Sequence, residues 1–94
     1  MNRPEVRSHE EVDAALLNTP WVREGDLLVL DVTFPSFMEA IGFVNAVAYL
    51  AEAENHHPDI TVSWTQVRLE LTTHQVNGLS ERDLAFVEKL QIEG

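Results

Sequence analysis

No cysteine occurs in the 94-residue chain, which excludes a disulfide framework, a thiolate nucleophile and any zinc site built on sulfur. Basic residues are scarce too: six Lys and Arg stand against sixteen Asp and Glu, a formal charge of −10. So few cations can neither neutralise a run of phosphates nor grip an anionic membrane surface, and neither nucleic acid nor membrane is expected as a partner. The acids are spread over both halves of the chain, as in a solvated surface rather than a tail. No apolar run reaches the roughly 18 residues of a membrane span. The opening Met1-Asn2-Arg3-Pro4-Glu5-Val6-Arg7 lacks the apolar core of a secretion signal, so a cytoplasmic location is expected. Four glycines in all leave no room for a phosphate-binding loop or a dinucleotide fingerprint. Residues 1–94 should form one domain that buries roughly 60–65% of its unfolded surface, a modest core that oligomerisation would reinforce.

What is present is a regular punctuation. Three segments open with a serine followed three residues later by an acid: Ser8-His9-Glu10-Glu11, Ser36-Phe37-Met38-Glu39 and Ser80-Glu81-Arg82-Asp83. This spacing lets each end of the box satisfy a free backbone amide of the other, and it predicts three helix starts. The first helix runs over Val12, Ala15 and Leu16 and stops near Asn18-Thr19-Pro20, because proline pushes its predecessor out of the helical region. The second carries Phe37, Ala40, Ile41, Val44, Val47, Ala48 and Ala51 at helical spacing over about four turns. Met38, Phe43, Tyr49 and Leu50 lie off that stripe and predict a second apolar face that meets another subunit. The third helix has Leu84, Val87 and Leu90 with Phe86, and fades at Gln91. Alternation predicts two hairpins between the helices. One passes from Trp21-Val22-Arg23 through Glu24-Gly25-Asp26 to Leu28, Leu30, Val32 and Phe34; the other joins Ile60, Val62 and Trp64 to Val67, Leu69 and Leu71. The resulting order, α-β-β-α-β-β-α, predicts an α+β fold in which a four-stranded antiparallel sheet carries three helices on one face and polar residues on the other.

No core pattern accounts for Glu52-Ala53-Glu54-Asn55-His56-His57-Pro58-Asp59. Pro58 should end the second helix and hold His57 extended, so that the rings of His56 and His57 point different ways. A helix C-terminus favours the imidazolium form, and Glu52 can orient one ring. The same pair would also serve as a plain helix ending. His74 follows the strand from Val67 to Leu71 on the parity of Glu70 and Thr72, away from the core, as a site residue or as an exposed strand end. Asp83 occupies the fourth position of the third helix start, where capping alone explains it. Standing just after the His74 loop, it can also hold an imidazole in one tautomer, as an orienting acid does for a catalytic base. Trp21 and Trp64 read as core or sheet-packing residues, with the wall of a flat-ligand site as the alternative. Three histidines and a carboxylate could form a zinc set, but adjacent histidines interrupted by proline rarely present both nitrogens to one ion, so no metal is expected.

Taken together, Glu52-x₃-His56-His57-Pro58, the aromatic Trp64, His74 and Gly78-Leu79-Ser80-Glu81-Arg82-Asp83 resemble the signature of the pterin-4a-carbinolamine dehydratase family. The likeness extends to Trp21, to the strand ending at Phe34 and to the helix from Phe37 to Ala51, and so covers most of the chain from Ser8 onward. It implies a hydro-lyase that removes water from a 4a-hydroxytetrahydropterin to give quinonoid dihydropterin. This is the recycling step behind a pterin-dependent aromatic amino acid hydroxylase, and it needs no metal or cofactor. It implies the same antiparallel sheet with three helices, assembled as a dimer or tetramer. By the same resemblance His56, His57, His74 and Asp83 match the catalytic set, with His57, Glu52 and Trp21 as expected substrate contacts. Ile60 departs from the animal members, which carry a tryptophan there, but the acid/base set is whole.

The chemistry suits these residues. Expelling hydroxide from a carbon that also bears nitrogen needs one proton delivered to the leaving oxygen and one removed from the ring nitrogen, and imidazole does either near neutral pH. The expected division has His56 and His74 moving protons, His57 holding the pterin and Asp83 fixing His74. The competing class is a non-catalytic scaffold, since relatives of this family act as transcriptional coactivators or as assembly factors for a carbon-fixing enzyme. Such a scaffold would be expected to lose the histidines and the aspartate, and here none is missing.

Overall fold

In the computed structural model, which describes residues 3–90, the elements are α1 (His9–Ala15), β1 (Val22–Glu24), β2 (Leu27–Thr33), α2 (Phe37–Glu54), β3 (Asp59–Ser63), β4 (Gln66–Leu71), a short 3-10 turn (His74–Val76) and α3 (Glu81–Lys89). Every helix starts where its serine predicts. Ser8 Oγ accepts the Glu11 N–H, and Glu11 Oε1 accepts the Ser8 N–H, both at 3.1 Å. That backbone donor holds the Glu11 carboxyl below the usual carboxylate range. At α2 the exchange is one-sided: Ser36 Oγ accepts from the Glu39 N–H, while the Glu39 carboxylate turns to the serine hydroxyl. The fading expected of the third helix at Gln91 lies outside the described residues.

Asparagine closes the turns. Asn18, Asn55 and Asn77 take φ of 65°, 50° and 50°, the left-handed region that asparagine tolerates better than most non-glycine residues. α2 is therefore already finished at Asn55, before Pro58, the residue expected to stop it, is reached.

The sheet has the order β1-β2-β4-β3 and is antiparallel throughout. Leu28 and Leu30 of β2 pair with Leu71 and Leu69 of β4, and all four face one core with Val12, Leu16, Trp21, Val47, Leu79 and Phe86. The open face carries the row Asp31, Arg68 and Thr61, where Arg68 donates to Asp31 Oδ2 at 2.9 Å. α1 is pinned to the sheet edge by a two-point bond from Arg23 to Asp13, at 2.7 and 3.0 Å. Among the described residues no helix is long and apolar enough to cross a membrane.

Two expectations change. The inner face of α2 keeps Ala40, Val44, Val47 and Ala51 of the expected stripe but is shifted at its edges, taking in Phe43 and Leu50, which were expected on the second face. Ala40, Val47 and Ala51 are buried, with Phe43, Val44 and Leu50 packed beside them, and Phe43 lies 5.1 Å from Phe34 between ring centroids. Phe37 and Ala48, assigned to the inner stripe, face outward with Met38 and Tyr49, the last two 75% and 80% exposed. A helix that is apolar around most of its circumference announces its period but not the edges of the side the sheet will take. Trp64 is not a sheet-packing residue either: it is 77% exposed, at φ 54°, first in the two-residue turn between the paired Ser63 and Gln66.

Candidate active site

The site begins with the way α2 ends. Asn55, left-handed, turns the chain back so that its own N–H reaches the Glu52 carbonyl at 3.3 Å and the His56 N–H reaches the Ala51 carbonyl at 3.1 Å. This crossed pair of bonds is a Schellman ending. It fixes the backbone of His56 against the helix and sends its ring toward α3, where the ring stands edge-on to Phe86 at a centroid distance of 6.5 Å. His57, next in the chain, points outward.

His56 Nε2 lies 2.7 Å from Asp83 Oδ1. The aspartate side chain is fully buried and the histidine side chain is 10% exposed. A carboxylate removed from water needs donors on its lone pairs, and Asp83 has them: its Oδ2 accepts the Ser80 N–H at 2.9 Å and the Thr73 hydroxyl at 2.6 Å. The Thr73 proton is thereby used, so the 2.7 Å contact between Thr73 and Ser80 is a donation from Ser80 to Thr73. Ser80 Oγ in turn accepts the Arg82 N–H at 3.2 Å. The chain of donors runs one way, from the start of α3 through two hydroxyls to one carboxylate. Its effect on His56 is specific: with Asp83 accepting at Nε2, a neutral ring has its lone pair on Nδ1, the geometry of an oriented base.

Asp83 thus caps α3 and orients a histidine at once, the two roles between which the sequence left it divided. The histidine is His56, however, and the expected bond to His74 is replaced by that one. Both carboxylate oxygens are already occupied, and His74 lies on the far side of Thr73 from the core-facing parity.

The remaining expected residues fall into separate places. His57 Nε2 meets Glu52 Oε2 at 2.5 Å across the exposed end of α2, so Glu52 orients His57. His74 opens the 3-10 turn, exposed, and its ring has no hydrogen-bond partner among the described residues. It joins the buried pair only through the backbone of its neighbour Thr73. Trp21 does not reach this region: it is 3% exposed in the core and borders a different depression, with Leu16, Leu17 and Arg23. There it packs in the core with Val12 and Leu16 of the α1 region. A depression of about 300 Å³ opens at His56 instead, lined by Glu54, Asn55, Glu81, Arg82 and Ala85. Among the described residues no three of His, Asp and Glu converge as a metal site would require.

Thr73 and Ser80 complete the buried network; the sequence pattern gives Ser80 only a capping role and singles out no role for the Thr73 side chain. Parity carried the signal: Thr73 continues the core-facing series Leu69 and Leu71, and a polar residue on that parity must find a buried partner.

Residues 5–92 match the family model described as pterin 4 alpha carbinolamine dehydratase. A protein of Thermomicrobium roseum, provisionally named a pterin-4-alpha-carbinolamine dehydratase, is 53% identical over 70 residues, 74% of this chain and 75% of its own. A protein of Mycolicibacterium smegmatis with the same provisional name is 42% identical over 86 residues, 90% of this chain and 92% of its own. The crystal structure of a transcriptional coactivator/pterin dehydratase from Brucella melitensis superposes with a TM-score of 0.81 at 29% identity, over 90% of this chain and 94% of the other. A pterin dehydratase-like protein identified as a RuBisCO assembly factor in the alpha-carboxysome superposes with a TM-score of 0.64 at 25% identity, over 77% and 86%.

Proposed function

Because the chain belongs to the pterin 4 alpha carbinolamine dehydratase family, we propose that it is a hydro-lyase acting on a 4a-hydroxytetrahydropterin, with His56 and His74 as its proton-transfer groups. The observation that carries this reading is the buried pair of His56 and Asp83. An imidazole with one nitrogen committed to a carboxylate and the other left with a lone pair is prepared to take a proton from substrate and to hold the resulting charge.

In the reaction the C4a–O bond breaks as its hydroxyl receives a proton and leaves as water. The N5–H bond gives its proton to a base, and its electron pair closes the C4a=N5 double bond. One imidazole starts neutral and the other protonated, and a proton returned between them resets the pair without any change of oxidation state. His57, held by Glu52 at the exposed end of α2, contacts the pterin. The physiological setting is recycling of the cofactor of an aromatic amino acid hydroxylase.

The test is the rate of dehydration of freshly generated 4a-carbinolamine. His56→Ala and His74→Ala should each lower kcat by about 10²-fold or more, the scale of lost acid/base assistance. No acceleration by the unaltered protein would overturn the reading. It would select instead a protein-binding scaffold, a second reading favoured by the exposed Phe37, Met38 and Tyr49 of α2 and by the assembly role given to one structural neighbour. Activity that a chelator abolishes would point to a metal. The same apolar face of α2 supports assembly of the protein with copies of itself.

A further inference from the structure

Residues 3–7 lie against the segment that carries His74. The Arg7 N–H donates to the Leu79 carbonyl at 2.8 Å, Val6 forms an antiparallel bridge with Ser80, and the Glu5 N–H donates to Glu81 Oε2 at 2.8 Å. Pro4 is buried. Arg3 then reaches the Gln75 carbonyl with its guanidinium at 2.7 Å, and the Gln75 side chain is held from the other side by Arg82 at 3.1 Å. Gln75 follows His74 directly.

The two proton-transfer histidines of the proposed function are held in unlike ways. His56 is fixed through its ring by Asp83. The His74 ring is without a hydrogen bond among the described residues, so only its backbone can place it. That backbone is closed on its inner side by the Thr73 N–H to Gly78 carbonyl bond, at 3.0 Å, and on its outer side by Arg3 at the Gln75 carbonyl, while Arg82 holds the Gln75 side chain. A group misplaced by even about 1 Å loses much of its effect on a reaction. We infer that the strap formed by residues 3–7 belongs to the catalytic apparatus, with Arg3 as a positioning residue that sets His74 through the Gln75 carbonyl. The inference rests on the reading of His74 as a proton-transfer group.

The experiment is a double-mutant cycle on the whole chain, Arg3→Ala with His74→Ala, read by dehydration kinetics and by the NMR signals of the His74 ring. Arg3→Ala should lower kcat about 10-fold with KM little changed, less than the loss of the imidazole itself. It should displace the His74 ring signals and leave those of His56 in place. Arg3→Lys, which keeps a cationic donor, should restore most of the rate. The double variant should be no slower than His74→Ala alone, because a residue that acts through His74 has nothing left to act on. A rate and a His74 ring spectrum unchanged by Arg3→Ala overturn the inference while leaving the proposed function standing. Multiplying losses in the double variant also overturn it, since Arg3 would then act elsewhere. If His74→Ala itself is harmless, the reading of His74 fails and the catalytic role of the strap is overturned with it, an outcome told apart from failure of the strap alone by the rate of the single His74 variant. Should Arg3→Ala unfold the protein, Arg3→Lys and Arg3→Gln carry the same comparison.

Discussion

The carboxylate of Asp83 is placed so that both its oxygens are in use, and this makes its replacement by asparagine informative. An asparagine there keeps its carbonyl oxygen toward the two donors Ser80 N–H and Thr73 Oγ1, and so turns its NH₂ toward His56 Nε2. The ring must then accept at Nε2 and carry its proton on Nδ1, the reverse of the tautomer that a base requires. Asp83→Asn should lower kcat about 10²- to 10⁴-fold while costing only about 2 kcal/mol of stability. Asp83→Ala, which strands three buried donors, should cost about 3–5 kcal/mol. Nitrogen-15 spectra of the His56 ring check the first expectation, and an Nε2–H tautomer preserved at full activity would refute it. At this scale the sequence placed His56, His57 and His74 among the candidates, and two carboxylates beside them. It paired Asp83 with His74, whereas the fold gives Asp83 to His56. The two residues that decide it, Asn55 and Thr73, act through a left-handed turn and a strand parity rather than through a motif.

Elements were more legible than their orientations. The serine boxes located all three helix starts, since a cap is a local exchange of hydrogen bonds between residues three apart. The alternation of β2 and β4 located the inner face of the sheet. The edges of the α2 face were not legible because its apolar residues outnumber one stripe, nor was the turn at Trp64, because a large aromatic is rarely left-handed. That conformation costs a side-chain-bearing residue about 1–2 kcal/mol, which asparagine partly avoids. Trp64→Asn should therefore raise stability by about 1 kcal/mol, or roughly 4–8 °C in Tm for a domain of this size, with the strand register unchanged. A lower Tm would mean that the exposed indole makes contacts worth more than the strain. The pin between α1 and β1 predicts a pH effect. The bond from Arg23 holds the Asp13 carboxyl below its ordinary 3.8, so the folded form prefers the charged state. Its contribution is complete above the unfolded value and fades as pH falls through the lower folded value. The Tm difference between the protein and Asp13→Asn should be small, constant from neutral pH down to about pH 5, and vanishing on further acidification. A difference that grows in acid would contradict the assignment.

Over the whole molecule two features pull against each other. Copies of a chain with a formal charge of −10 repel, while an apolar face with Met38 and Tyr49 at 75% and 80% exposure gains from being covered. Which one prevails depends on salt. Raising ionic strength from 0.01 to 0.15 M shortens the Debye length from about 30 to about 8 Å, which weakens the repulsion between copies but leaves apolar burial untouched. Self-association through α2 should accordingly tighten as salt rises across this range, the opposite of an interface held by ion pairs. Sedimentation equilibrium at both ionic strengths measures it directly. Met38→Glu with Tyr49→Glu should give monomers at either salt and leave the circular dichroism of the fold intact, since neither side chain belongs to the core. A monomer under every condition in the unaltered protein would remove self-assembly as the reason for the face. The exposed apolar residues of α2 would then have to be explained by a partner of another kind.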